Sequence, residues 1–308
     1  MMLYRKITDK ISIREESASL FRNVECAILD CDGTLVNINR SYNACIKKTV
    51  GLMLERILGG REEEWYSRLV TDEIILRFRM SGGFNNDTDT SYACTVAALA
   101  SGSSDLDKAR EFVLEAASHA GDEGIVSVER YLSGTGHADA VRRAKQALGY
   151  PGPVGSSMLT TVFDELFYGR ELFAKLHGIR SEINSPRGFI EDDEAVITRE
   201  VASELSKFFN GKIAIVSGRG RLATEYSLKM ILLEHFDVGA SVFLEDELKA
   251  AMKGNSPERI GKPEPYALLK AMGAMNASSA ISLGDSAEDI IMSRRAGEKK
   301  DHRVLFCG

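Results

Sequence analysis

The stretch Cys26-Ala27-Ile28-Leu29-Asp30-Cys31-Asp32-Gly33-Thr34 runs four apolar residues into two acids and a glycine. A short apolar run stopped in this way predicts a buried strand that ends in a tight turn. Alternation along the strand sends Asp30 and Asp32 to one side and Cys31 to the other. Two crowded carboxylates repel each other, and a divalent cation is the usual relief. The pair also suits chemistry, because one carboxylate can attack an electrophile while its neighbour handles a proton. Taken alone, the stretch reads equally well as an ordinary β-turn.

Three later segments carry related signals. Lys212-Ile213-Ala214-Ile215-Val216-Ser217-Gly218 reads as a second strand that ends in a hydroxyl residue. Gly261-Lys262-Pro263-Glu264-Pro265 presents a lysine held by prolines. Ile281-Ser282-Leu283-Gly284-Asp285-Ser286-Ala287-Glu288-Asp289 reads as a third strand that ends in more acids.

Around these segments the chain changes character. Residues 41–187 read mostly as helix, with apolar residues at helical spacing over 42–54, 109–117, 138–148 and 158–176. From about residue 190 the pattern alternates. Helices are expected over 194–209, 221–234, 263–272 and 287–296, and strands over 212–216, 241–244, 280–283 and 304–306. Alternation of this kind predicts an α/β fold with a parallel sheet covered by helices on both faces. Such sheets carry their sites at the carboxyl ends of the strands, where Asp30, Ser217 and Asp285 all fall. Residues 1–20 are expected to form a short amphipathic helix or an edge strand on the core.

The chain has 308 residues, 44% of them hydrophobic and 27% charged, with a net charge of −6. That is the composition of an ordinary globular protein with room for two domains. The acidic balance gives no reason to expect nucleic acid as a partner. No apolar run reaches the ~18 residues of a membrane span, and the charged start Met1-Met2-Leu3-Tyr4-Arg5-Lys6 does not resemble a signal peptide. A cytoplasmic location is expected, with the five cysteines reduced, since they show no CxxC spacing. The five histidines show no metal-ligand pattern.

The four motifs in this order resemble the haloacid dehalogenase superfamily of phosphohydrolases, over residues 24–36 and roughly 190–300. The resemblance implies a Rossmann-like core formed by residues 21–40 and 188–308. It also implies a type 1 helical cap over 41–187, large for its class, and an N-terminal extension over 1–20. The implied activity is Mg²⁺-dependent hydrolysis of a small phosphate ester, with a general course like that of phosphoglycolate phosphatase and its relatives. A sugar phosphate or a phosphorylated carboxylic acid fits best.

By the same resemblance, Asp30 is the nucleophile and a Mg²⁺ ligand. Asp32 is the acid and base, and its backbone carbonyl binds the metal. Lys262 neutralises the phosphate and holds Asp30. Asp285 binds Mg²⁺, and Asp289 holds metal-bound water or braces the shell. Ser217 and Gly218 receive the phosphoryl oxygens, while Gly33 and Thr34 shape the turn beside them. The dehalogenases of the superfamily lack an acid at the Asp32 position, because a halide leaving group needs no proton. Asp32 therefore favours a phosphate ester.

Two segments are candidates for substrate contact. Arg219 and Arg221 stand beside the phosphate site, although solvent-exposed arginines in a first helical turn would read the same way. In the insert, Asn85 and Asn86 lie in a glycine-led polar loop suited to hydroxyl-rich ligands, and the same loop could equally be a turn capped by Asp89 or Thr90. The motifs leave open a phosphomutase or phosphotransferase and a non-catalytic metabolite-binding protein on the same scaffold. They also leave open a homo-oligomer.

Overall fold

The computed structural model describes residues 4–9, 11–84, 86–253 and 260–308. The chain divides into two compact units, Ile38–Asp193 and the combination of Met1–Asn37 with Glu194–Gly308.

The inserted unit is helical among its described residues. Its helices are α1 (Ser41–Leu58), α2 (Glu63–Ser67), α3 (Asp72–Met80), α4 (Asp87–Ser101), α5 (Leu106–Ser118), α6 (Ile125–Gly134), α7 (Ala138–Leu148) and α8 (Met158–His177). Helix α4 is buried along nearly its whole length and meets α1, α5, α6, α7 and α8. Its run Ala93-Cys94-Thr95-Val96-Ala97-Ala98 explains this, because small side chains on every face let neighbouring helices approach from all sides. Two of its buried hydroxyls are satisfied within the helix: Ser91 Oγ donates to the Asp87 carbonyl and Thr95 Oγ1 to the Ser91 carbonyl, each at 2.8 Å. Helix α8 breaks at Gly169, which has φ of 70°. A Cβ there would lie 2.6 Å from the Gly188 nitrogen, so the bend needs a residue without a side chain.

The second unit holds a five-stranded, all-parallel sheet. Its strands are β3 (Cys26–Leu29), β6 (Ile213–Ser217), β7 (Val242–Phe243), β8 (Ser279–Leu283) and β9 (Arg303–Cys307), in the order β7-β6-β3-β8-β9. Strand β3 sits at the centre and is buried on both faces, as a continuous apolar run requires. Helices α9 (Arg199–Phe208), α10 (Arg221–Leu228), α11 (Met230–His235), α12 (Leu244–Lys253), α13 (Tyr266–Ala274) and α14 (Ala287–Gly297) connect and cover the strands. The core between sheet and helices includes Cys26, Ile28, Ala214, Val216, Leu268, Met272 and Met292. Each fully buried aliphatic side chain of this kind contributes about 1.5–3 kcal/mol. The α/β architecture with a parallel sheet and a helical insert after the first core strand is the one the sequence predicts.

Several local expectations are corrected. The described residues among 1–20 form neither an amphipathic α-helix nor a core edge strand, and a 3-10 turn covers Glu15–Ser17. Instead β1 (Tyr4–Lys6) and β2 (Ser12–Arg14) pair antiparallel with each other as a separate two-stranded sheet. The helix expected from 194 begins only at Arg199, because Thr198 caps it by accepting from the Val201 amide. Ahead of that cap, β5 (Glu194–Ala195) pairs antiparallel with β4 (Val36–Asn37). The strand expected over 241–244 covers Val242–Phe243, and Leu244 already opens α12. The single helix expected over 221–234 is broken at Lys229, whose φ is 49° and ψ −128°.

A lysine in that conformation is strained, whereas glycine adopts it freely. Lys229→Gly is expected to raise stability by about 1 kcal/mol, read as a higher denaturation midpoint in urea at unchanged slope.

Candidate active site

The turn after β3 is held from both sides. The Asp30 amide donates to the Leu283 carbonyl of β8 at 2.8 Å, which keeps the carboxyl ends of β3 and β8 level. The Cys31 carbonyl accepts from the amides of Leu35 and Val36 at 2.8 and 2.9 Å, which closes the loop. Gly33 has φ of +79°, and a Cβ on it would fall 1.9 Å from Asp285 Oδ2. The turn backbone therefore lies directly against the Asp285 carboxylate, and only glycine permits the approach. Thr34 belongs to the same turn, its amide donating to the Cys31 carbonyl at 3.3 Å. Cys31 is fully buried, and burial, with the charge of Asp32 adding to it, raises its thiol pKa.

Lys262 joins the first motif to the last. Its Nζ donates to Asp30 Oδ1 at 2.5 Å and to Asp289 Oδ1 at 2.7 Å. All three side chains are at most 10% exposed, so the pairs act with little water around them. Asp289 is positioned by its own helix: its Oδ2 accepts from Ser286 Oγ at 2.6 Å, while the Ser286 hydroxyl receives the Asp289 amide in a reciprocal cap. Arg295, further along α14, ties down the segment that carries the lysine through a 2.8 Å contact to Glu264. Burial pushes Asp30 up to about 7, with the like charges of Asp289 and Asp32 adding to it and Lys262 opposing it. Burial also works against the charged form of Lys262, but Asp30 and Asp289 outweigh it and hold the ammonium above its ordinary range.

At the end of β6, Ser217 is buried and its Oγ accepts from the Arg219 amide at 3.2 Å. Gly218 is exposed. Arg219 does not extend into solvent. Its guanidinium Nε lies 2.9 Å from Asp32 Oδ1, and its Nη1 donates to Ser227 Oγ at 2.9 Å. Arg221 does lie at the surface, in a pair with Glu225. The first turn of α10 is already occupied by acids: the Gly220 amide donates to Glu245 at 2.9 Å and the Arg221 amide to Asp246 at 2.8 Å. An anion arriving there is left with Ser217 and Gly218 and not the helix terminus as a whole. Sequence reasoning missed Glu245 and Asp246. Their only local signal is an acidic opening to α12, which many helices share.

The structure thus brings Asp30, Lys262, Asp285 and Asp289 together, with Asp32, Thr34, Ser217, Gly218 and Arg219 on the adjoining strand ends and turns of the same unit. Asn86 belongs to the other unit. It is the cap of α4, its Oδ1 accepting from the Thr88 amide at 2.9 Å, so the cap is neither Asp89 nor Thr90. Asp89 instead accepts from the Tyr150 hydroxyl. Asn85 lies outside the described residues.

One oxygen from each of Asp30, Asp285 and Asp289 lies within 4.8 Å of the other two. Three carboxylates face one ammonium here, so negative charge is in excess when all are ionised. Hard oxygen donors around uncompensated charge fit a cation such as Mg²⁺. The Asp32 carboxylate is turned to Arg219, which leaves its carbonyl as the group for the metal role expected of it.

A family model for haloacid dehalogenase-like hydrolases matches residues 24–297. The chain belongs to that family. No curated relative matches the sequence of this hydrolase. Among solved structures, a structural-genomics target is 16% identical, with TM-score 0.62 over 92% of this chain and 89% of its own. Phosphatase Tt82 from Thermococcus thioreducens is 21% identical, with TM-score 0.58 over 92% of both chains. At such identities the two likenesses speak to the fold alone. Among the described residues, no helix of this hydrolase is long and apolar enough to cross a membrane.

The contact of Gly33 with Asp285 generates a paired test. Gly59 also has positive φ, but a Cβ there would meet nothing within 4 Å. Gly59→Ala should cost only the conformational strain, about 1 kcal/mol, and Gly33→Ala about 2 kcal/mol or more, compared by urea denaturation of both variants.

Proposed function

We propose that this hydrolase is a Mg²⁺-dependent phosphatase that cleaves a small phosphate monoester through an aspartyl-phosphate on Asp30. The observation that carries the reading is the buried Asp30–Lys262–Asp289 bridge with Asp285 beside it. A phosphoryl group spreads negative charge over its oxygens, so its transfer depends on positioning and charge neutralisation.

In this reading a carboxylate oxygen of Asp30 forms the new bond to phosphorus as the ester oxygen departs. Asp32 gives its proton to that leaving alkoxide. It later takes a proton from the water that attacks the aspartyl-phosphate, and inorganic phosphate leaves with Asp30 restored. Lys262 offsets the phosphate charge and keeps the Asp30 carboxylate from rotating. Arg219, paired with Asp32, orients that acid and leaves substrate binding to Ser217, Gly218 and the turn at Thr34. Mg²⁺, held by Asp30, Asp285 and the Asp32 carbonyl with Asp289 behind them, would neutralise charge between the nucleophile and the phosphate.

The substrate class belongs to the same proposal. The helical insert, taken as the cap that the family resemblance implies, would admit a sugar phosphate or a phosphorylated carboxylic acid and exclude macromolecules. A cytoplasmic location accords with the buried unpaired thiols of Cys26, Cys31, Cys45 and Cys94.

Phosphate release should be measured with Mg²⁺ and with EDTA, across phosphorylated sugars, polyols, acids and nucleotides. Metal-dependent release from one or a few is expected. No release, with the phosphoryl group returned to another hydroxyl, would identify a mutase. Asp30→Asn is expected to lower kcat by on the order of 10³-fold or more while the circular dichroism spectrum stays unchanged.

Protons and the cation compete for Asp30, whose folded pKa of about 7 lies above its ordinary 3.8. The metal-free fold therefore loses stability from this group as pH climbs between those values, and the loss is complete above 7. Mg²⁺ should raise Tm more at pH 8 than at pH 6, and Asp30→Asn should flatten that difference. Equal shifts at both pH values would contradict the assignment.

A further inference from the structure

At the amino-terminal end of the same sheet, away from the catalytic carboxylates, lies a cavity of about 330 Å³. It is bounded by the segment before β3, the starts of β8 and β9, and the last turns of α14. Small-ligand pockets run from about 300 to 1,000 Å³, so this one suits a compact molecule.

Its lining divides by chemistry. Leu20, Val24 and Leu305 give an apolar wall, while Arg294 and Arg303 bring two guanidinium groups. None of the lining residues is acidic, and neither arginine has a carboxylate partner among the described residues. Ser293, only 2% exposed, also lines the cavity, and its Oγ is buried without a hydrogen-bond partner among the described residues. A buried hydroxyl without a partner costs about 1–3 kcal/mol, so one in a cavity wall points to a group that satisfies it.

The carboxyl end of α14 would by itself repel an anion. Here two of its final carbonyls are covered, since the Glu298 amide donates to the Arg294 carbonyl and the Lys299 amide to the Ala296 carbonyl. Two guanidinium groups on a lining with no acid favour an anion there.

We propose that this cavity is a second ligand site, for a small organic anion whose acidic group pairs with Arg294 and Arg303 and whose apolar body rests on Leu20, Val24 and Leu305. Planar guanidinium groups suit carboxylate and phosphate alike, so the acid is either of these. The site is independent of the catalytic reading, because it shares no residue with the acid cluster.

The test is saturation-transfer NMR on the full chain with two probes that the enzyme cannot hydrolyse, benzoate for the carboxylate and phenylphosphonate for the phosphate. At least one probe should bind saturably, with Kd near 1 mM, about 4 kcal/mol. Asp30→Asn should bind it as the wild type does, and the double variant Arg294→Ala/Arg303→Ala should raise Kd at least tenfold. Both arginines are exposed, so the double variant should melt as the wild type does, and its melting curve is the control. Failure of both probes to bind the wild type overturns the proposal, as does unchanged binding by the double variant. Binding that is lost in Asp30→Asn would place the probe at the catalytic carboxylates and overturn it equally.

Discussion

A single ammonium group, Lys262 Nζ, stands between two buried carboxylates, and the arrangement of the second unit follows from it. Asp30 ends the central strand, Lys262 leads into α13, and Asp289 lies in the first turn of α14. Three segments far apart in sequence are thereby tied at one point. Removing one partner of a buried pair leaves an uncompensated charge in a poorly hydrated place and typically costs about 3–5 kcal/mol. The bridge does not neutralise the cluster, because Asp285 adds a third carboxylate. The fold concentrates negative charge at this point, with a lysine that limits the repulsion.

Close backbone approach makes this geometry possible. Gly33 puts the turn after β3 against Asp285, and Gly284 leaves room for Asp289, whose Cγ would sit 2.5 Å from a Cβ at that position. The acids that fill the first turn of α10 act in the opposite sense. Glu245 and Asp246 consume amides that would otherwise attract any passing anion. Ser217 and Gly218 are left as the polar groups at the end of β6 whose neighbouring helix terminus is already filled.

Helix α14 contributes to both the acid cluster and the second cavity. Its first turn holds Asp289, and its last turns carry Ser293 and Arg294 on the wall of the second cavity. Asp289 and Ser293 are four residues apart and so lie on one face. The helical insert is organised differently, around a buried α4 whose small side chains allow several helices to pack against it.

Elements whose pattern is local were legible in the sequence. The Cys26–Leu29 strand, its acidic turn and helices α1, α5, α7 and α8 of the insert follow from apolar periodicity and turn chemistry, which depend on residues close together in the chain. The order of the four motifs pointed to the family, and the acids and lysine they contain converge. What the sequence left undecided are pairings between distant residues. Glu194–Ala195 became a strand because Val36–Asn37 offers it hydrogen bonds, and Arg219 turned inward because Asp32 waits there. Asn86, with Thr88 as its partner, took the cap that Asp89 or Thr90 could have filled. Such choices rest on free energies of a kilocalorie or so per contact, set by which groups meet after the sheet has assembled, and local periodicity carries no record of those meetings.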